Sequence, residues 1–210
     1  MKVLLLNGSP HSAGCTYTAL CEIEKTLHEE GVDTELFHLG TSPVRSCTSC
    51  GACFRSKNCR CVMDDDPVNR ILEKLESCDG LIVGSPVHYA AAGGSISTAM
   101  DRMFYAASRM MAGKPGAAVV SARRAGTTAA IDQLNKYFTI SGMPIVPSQY
   151  WPMVHGNTPE QVMQDEEGLQ IMRMLARNMA WMLKSFALAR EHGVLPPERE
   201  KIRRTTNFIR

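Results

Sequence analysis

Cys47, Cys50, Cys53 and Cys59 follow the pattern C-x2-C-x2-C-x5-C, and a fifth thiol, Cys61, stands two residues further on. Two-residue spacers turn successive thiols toward one centre, and Gly51 eases the wrapping. Such a knot can hold a [4Fe–4S] cluster, hold zinc in a thiolate tetrahedron, or remain as free or disulfide-forming thiols beside a redox group. Three cysteines packed within seven residues suit zinc less well than a cluster. Cys61 blurs which thiol is fourth. Cys15, Cys21 and Cys78 stand apart and read as small buried hydrophobes.

A second chemistry is anion binding. Residues 7–16, Asn-Gly-Ser-Pro-His-Ser-Ala-Gly-Cys-Thr, join an apolar run to a helical pattern. Gly8 and Gly14 permit close approach, Ser9, Ser12 and Thr16 offer hydroxyls, and a helix start presents free N–H groups and a favourable dipole. No Gly-Lys-Ser/Thr follows, which excludes a Walker loop, and G-x-G-x-x-G is missing here. Two further loops bear on this site. Residues 85–94 carry Ser85-Pro86-Val87-His88-Tyr89 and then five small residues that leave room for a flat ring. Residues 121–128 carry Arg123, Arg124 and Gly126, the arginines being suited to phosphate or carbonyl acceptors. Asp64-Asp65-Asp66 before Pro67 reads as charge at a helix start, Asp101-Arg102 as an ion pair or helix surface, and His155 as a proton donor or a packed histidine.

These loops need strands and helices to aim them. Short unalternating apolar runs at Val3–Asn7, Leu81–Val83, Ala117–Val120 and Pro144–Val146, with Val32–Leu39, alternate with helical patterns at 15–30, 68–75, 96–104, 131–138 and about 159–190. That order predicts an α/β domain. It is a flavodoxin-like, doubly wound, five-stranded parallel sheet with helices on both faces, plus a C-terminal helix and tail. The domain runs over 1–190 with a cysteine-rich loop, 40–66, inserted, and 191–210 form a polar tail able to wrap a neighbouring subunit. In such sheets ligands bind beyond the carboxyl ends of the strands, where all three loops fall. Net charge is +2, from 23 Lys+Arg against 21 Asp+Glu, so nothing points to nucleic acid or a membrane surface. The opening apolar run is too short for a signal peptide, no run spans a membrane, and the cytoplasm is the expected compartment.

Taken together, Asn-Gly-Ser-Pro after the first strand, Gly14-Cys15-Thr16 at the helix start, Ser85-Pro86-Val87-His88-Tyr89 and Asp101-Arg102 resemble the NADPH-dependent FMN reductase family over about residues 1–155. The cysteine knot resembles its iron–sulfur flavoprotein branch. His11 and Cys15 depart from the family pattern, which often has a basic residue and Asn there. The resemblance implies that Ser9, His11, Gly14, Cys15 and Thr16 surround an FMN phosphate, with Pro86, Val87, His88 and Tyr89 along the ring edge and Arg123 and Gly126 nearby. It implies Cys47, Cys50, Cys53 and Cys59 as ligands of a [4Fe–4S] cluster. It also implies an oxidoreductase fed by NAD(P)H or a protein donor, a small-molecule acceptor or redox-protein partner, and a homodimer or homotetramer. A non-enzymatic FMN electron carrier and a thiol or metal redox sensor are the alternatives.

Overall fold

The computed structural model describes residues 1–198 and residue 200. In β1 (Lys2–Asn7), Val3, Leu4, Leu5 and Leu6 are all fully buried. Side chains alternate along a strand, so Val3 and Leu5 enter the core on one face and Leu4 and Leu6 the core on the other. Two-sided burial is why this run is continuous rather than alternating. There follow α1 (Cys15–Glu29), β2 (Asp33–His38), α2 (Ala52–Ser56), α3 (Val68–Glu76), β3 (Gly80–His88), β4 (Ala91–Ala92) and α4 (Gly94–Met111). The chain continues through β5 (Gly116–Ala122), α5 (Thr127–Ile140), β6 (Met153–His155), α6 (Pro159–Val162) and α7 (Glu166–Glu191). Five strands form a parallel sheet in the order β2-β1-β3-β5-β6, and β4 pairs antiparallel with the end of β3. Residues of α1 and α7 pack on one face, and those of α3, α4 and α5 on the other. This is the flavodoxin-like architecture expected, with six strands instead of five.

The sixth strand arises because β3 does not stop at Gly84-Ser85-Pro86. Gly84 O accepts from Gly8 N at 2.9 Å, so Gly84 bonds toward β1. Alternate residues of a strand bond to the same side, and β1 ends at Asn7, so the missing N–H of Pro86 falls where no partner remains. The strand stays in register with β5 through Pro86, runs on to His88 and turns back into β4.

The expected strand at Pro144–Val146 is only a bridge, Gly116 to Ile145. Gly116 N donates to Pro144 O and Val146 N to Gly116 O, both at 2.9 Å, and the pairing ends there. The chain detours and rejoins β5 as β6.

The long helix expected from Pro159 is two. Thr158 caps α6, and Asp165 caps α7 by accepting from Gly168 N at 3.0 Å. The stripe Met172, Leu175, Met179 and Leu183 on α7 is buried with the α1 side chains Leu20, Ile23 and Leu27, and is therefore core. No described helix is long and apolar enough to cross a membrane. Of the expected tail, residue 199 and residues 201–210 lie outside the described residues.

One charge cluster ties the sheet edge to α3. Glu35 of β2 pairs with both Lys2 and Lys74. The hydrogen bond from Lys2, then that from Lys74, holds its carboxyl below the ordinary carboxylate range. A lowered folded-state pKa contributes stability above the unfolded value, about 4.3, and loses it as pH falls through the folded value. Glu35→Gln is therefore expected to lower the urea midpoint modestly at pH 7, as solvent-screened pairs do. The difference should shrink as pH falls through the folded-state carboxyl titration. Equal midpoints at pH 7 would contradict this.

Candidate functional site

The loop after β1 is shaped from beneath by Asn7, which is fully buried. Its Oδ1 accepts from Ser9 N at 3.0 Å, and its Nδ2 donates to Ser12 O at 3.4 Å. Ser9 Oγ accepts from His11 N at 3.1 Å, and His38 Nε2 bonds Ser9 O at 2.8 Å. The Ser9 hydroxyl therefore serves the bend itself. A Cβ on Gly8 would lie 2.6 Å from Ile96 Cβ and 2.9 Å from Gly84 O, and one on Gly14 2.9 Å from His11 Cβ. Gly14 is the N-cap of α1, and no side chain caps this helix. The first-turn N–H groups lack intrahelical acceptors and lie at the crevice, a ready anion site. His11 and Ser12 are exposed there. Cys15 is half-buried, donates to Gly156 O at 3.5 Å, and has its thiol pKa pushed up by burial. Thr16 is 1% exposed, and its hydroxyl bonds Ser121 Oγ at 2.8 Å, joining the first loop to the end of β5.

The second loop is a hairpin. Pro86, Val87 and His88 lead to Tyr89 and Ala90, whose φ angles are 50° and 59°. Two positive-φ central residues are what a tight I′ hairpin turn demands, and non-glycine residues there store about 1–3 kcal/mol of strain each. Ser85 Oγ donates to Pro86 O at 2.8 Å and accepts from Gly93 N at 2.9 Å. Gln133 of α5 accepts from Ala92 N at 2.9 Å. Both ends of the hairpin are thus held while Tyr89 projects fully into solvent, at 106% relative exposure.

In the third loop Arg123 and Arg124 are exposed, and Gly126 has φ +91°. A Cβ on Gly126 would meet Ala90 Cα at 2.7 Å, so the third loop rests against the hairpin turn. His155 Nε2 bonds Arg124 O at 3.1 Å, and its Nδ1 lies 3.8 Å from Asp165 Oδ2, so this partly exposed histidine is tied to the third loop and to the α7 cap.

Within the cysteine loop, Cys47, Cys50, Cys53 and Cys61 line a single cavity of about 140 Å³ together with Arg102 and Tyr105. Gly51, with φ +69°, bends the chain into α2, and Ala52 N–H there holds the Cys50 thiol below the usual cysteine range. Cys53 Sγ donates to Tyr105 O at 3.7 Å. Cys59, with φ +57°, is not among the residues lining that cavity; it packs against the core on the α3–α4 face. The eight cysteines are unpaired. Among the described residues no three His, Cys, Asp or Glu side chains are gathered as ligands of one ion.

Three residues of this site were not legible as such. Asn69 clamps the Cys61 backbone, accepting from Cys61 N at 2.8 Å and donating to Cys61 O at 2.9 Å. Arg102 is buried in a pair with Asp66, and its Nε donates to Cys61 Sγ at 3.3 Å. Neither the dipole reading of Asp66 nor the local reading of Asp101-Arg102 anticipates this pair; Asp101 instead accepts from Tyr137 Oη. The available signal was the placement of Arg102 among Met100, Met103 and Phe104, on an apolar helix face where a charge needs a partner.

The NADPH-dependent FMN reductase family matches residues 1–158. The chain is 30% identical over 198 residues to an iron–sulfur flavoprotein of Methanocaldococcus jannaschii, covering 88% of this chain and 98% of that protein. It is 27% identical over 193 residues to an iron–sulfur flavoprotein of Archaeoglobus fulgidus, covering 85% and 95%. Among solved structures, a flavodoxin from the domain Archaea superposes with a TM-score of 0.59 at 16% identity, covering 88% of this chain and 99% of that one.

Proposed function

Because the chain belongs to the NADPH-dependent FMN reductase family, we propose that it is an FMN-dependent oxidoreductase. Its electrons come from NAD(P)H or a protein donor and leave for a small acceptor or a redox protein, with an iron–sulfur cluster in the cysteine loop as its second centre. One observation carries the reading. Three loops meet at the carboxyl ends of β1, β3 and β5, locked through Gly8–Gly84, Thr16–Ser121 and Gly126–Ala90, beside a helix start that no side chain caps.

These residues fit FMN on two counts. The α1 first turn offers donors to a phosphate dianion, and Gly8 and Gly126 let the loops close together where a Cβ would clash. When bound, FMN supplies the exchange between two-electron and one-electron steps. The chain binds and orients it. First-turn N–H groups from Cys15 onward and the exposed Ser12 and His11 side chains take the phosphate. Ser9, Gly14 and Thr16 set the bend. The Pro86–Tyr89 hairpin borders the ring, and Gly126 seats the hairpin. Arg123 is suited to the pyrimidine carbonyls or to a nicotinamide phosphate.

The cysteine loop fits a cluster by its donor chemistry. Four thiol-bearing residues line one cavity, and among the described residues no three ligands are gathered around one ion. The donor set is all sulfur, and three thiols at two-residue spacing suit a cluster better than zinc. Cys47, Cys50, Cys53 and Cys61 would hold it, with Cys61 in the place the spacing offered to Cys59. Exposed Trp181 and Leu188 on α7 support the homodimer or homotetramer, which light scattering can check.

Anaerobically purified protein should show flavin bands over a broad iron–sulfur absorbance, and NADH or NADPH should bleach the flavin. Yellow protein inert to both nucleotides, yet reduced by a ferredoxin-type donor, would identify the electron carrier instead. Colourless protein that takes up no FMN at micromolar concentration would overturn the flavin reading.

A further inference from the structure

We propose that Arg102 is the positioning residue of the thiol cavity. Its guanidinium staples the cysteine segment to α4, fixes the Cys61 sulfur toward the cavity, and raises the reduction potential of the centre held there. This deepens the cluster reading above and rests on it.

The Arg102 side chain is 0% exposed and its partner Asp66 1%. Its hydrogen bonds reach both ends of the cysteine segment. On the near side Nη1 donates to Arg45 O at 3.4 Å; on the far side Nη2 donates to Met63 O at 2.7 Å, and Nη1 pairs with the Asp66 carboxylate. A further donor, Nε, is directed at Cys61 Sγ at 3.3 Å. A neutral thiol is a weak acceptor, and burying an ion pair carries a heavy desolvation penalty. A charged donor aimed at that sulfur gains little from a neutral thiol, a weak acceptor, and more from a thiolate, whose negative charge attracts it. The arrangement therefore suits a sulfur that carries negative charge, as a metal-bound thiolate does.

The same donor bears on potential. An electron added to an iron–sulfur cluster spreads negative charge over its sulfurs, and N–H donors to those sulfurs favour the reduced form. Lys in place of Arg keeps the charge but is a point donor. It cannot grip Asp66, two carbonyls and a sulfur at once. Asp66 opposes Arg102, so removing the carboxylate charge should act with the opposite sign.

The test is an EPR-monitored redox titration of anaerobically reconstituted protein. Dithionite donates one electron per cluster and no bond is made or broken. With FMN and iron content matched to the parent, Arg102→Lys should shift the one-electron equilibrium about tenfold toward the oxidised cluster, ~60 mV downward by the one-electron constant. Asp66→Asn should shift it upward. If Arg102→Lys loses its flavin colour or its iron, Asp66→Asn decides alone: an unchanged or lowered potential overturns the proposal. Full iron with unmoved potentials in both variants leaves Arg102 a loop staple only and overturns its role toward the centre. A parent chain that binds no iron overturns the cluster reading and this inference together.

Discussion

Replacing Cys61 by Ser is expected to strip most of the iron from anaerobically prepared protein, whereas Cys59→Ser should keep iron near the parent level. Spacing alone cannot separate the two thiols, since either can follow the C-x2-C-x2-C core as fourth ligand. Their surroundings do. Cys61 lines the cavity shared with Cys47, Cys50 and Cys53, its backbone is clamped on both sides by Asn69, and its sulfur takes a hydrogen bond from Arg102. Cys59 sits in a left-handed backbone conformation against the core. Serine is a poor ligand for this soft site, so losing one of four thiolates should bleach the broad absorbance while the flavin bands survive. Iron analysis and the visible spectrum read both quantities in one sample. The reverse pattern, with Cys59→Ser iron-free and Cys61→Ser loaded, would return the fourth position to Cys59.

How much of this was legible depended on the range of the interaction. The strands Lys2–Asn7 and Gly116–Ala122 announce themselves because burial on two faces demands continuous apolar residues, a local property. The three loops were placed in the crevice because doubly wound sheets put strand ends there whatever the side chains do. Side-chain roles were another matter. Thr16 looked like a phosphate donor, but its hydroxyl is bound to Ser121, more than a hundred residues away. The strand read at Leu81–Val83 continues through Gly84-Ser85-Pro86 because a neighbouring strand has already ended. Pro144–Val146 reads as a strand from its apolar run, yet it pairs with β5 only through the single bridge at Gly116. Asp66 and Arg102 each had an adequate local reading, and only tertiary packing joins them. Residues that act through distant partners leave little trace in local spacing.

Gly126→Val is expected to weaken FMN binding by tenfold or more. Gly113→Val, a change at another positive-φ glycine, should leave FMN affinity near that of the parent. Both sites carry backbone angles that a β-branched residue resists, φ +91° and +80°, so both variants should lose stability by about 1–3 kcal/mol. They differ in what the new side chain meets. At Gly113, between α4 and β5, a Cβ has nothing within 4 Å. At Gly126 it would stand 2.7 Å from Ala90 Cα and 3.1 Å from Val87 Cγ1. Ala90 is backbone in a strained turn, pinned on either side by Ser85 and Gln133, and cannot yield without opening the hairpin. The clash is therefore relieved by displacing the segment that borders the flavin ring. A strain of about 1.4 kcal/mol transferred to binding is one decade in Kd. Fluorescence titration of FMN into flavin-depleted protein, with thermal melts of the same samples, separates affinity from stability. Equal FMN affinities in the two variants would show that the hairpin does not border the flavin, and the ring would have to be sought elsewhere along the crevice.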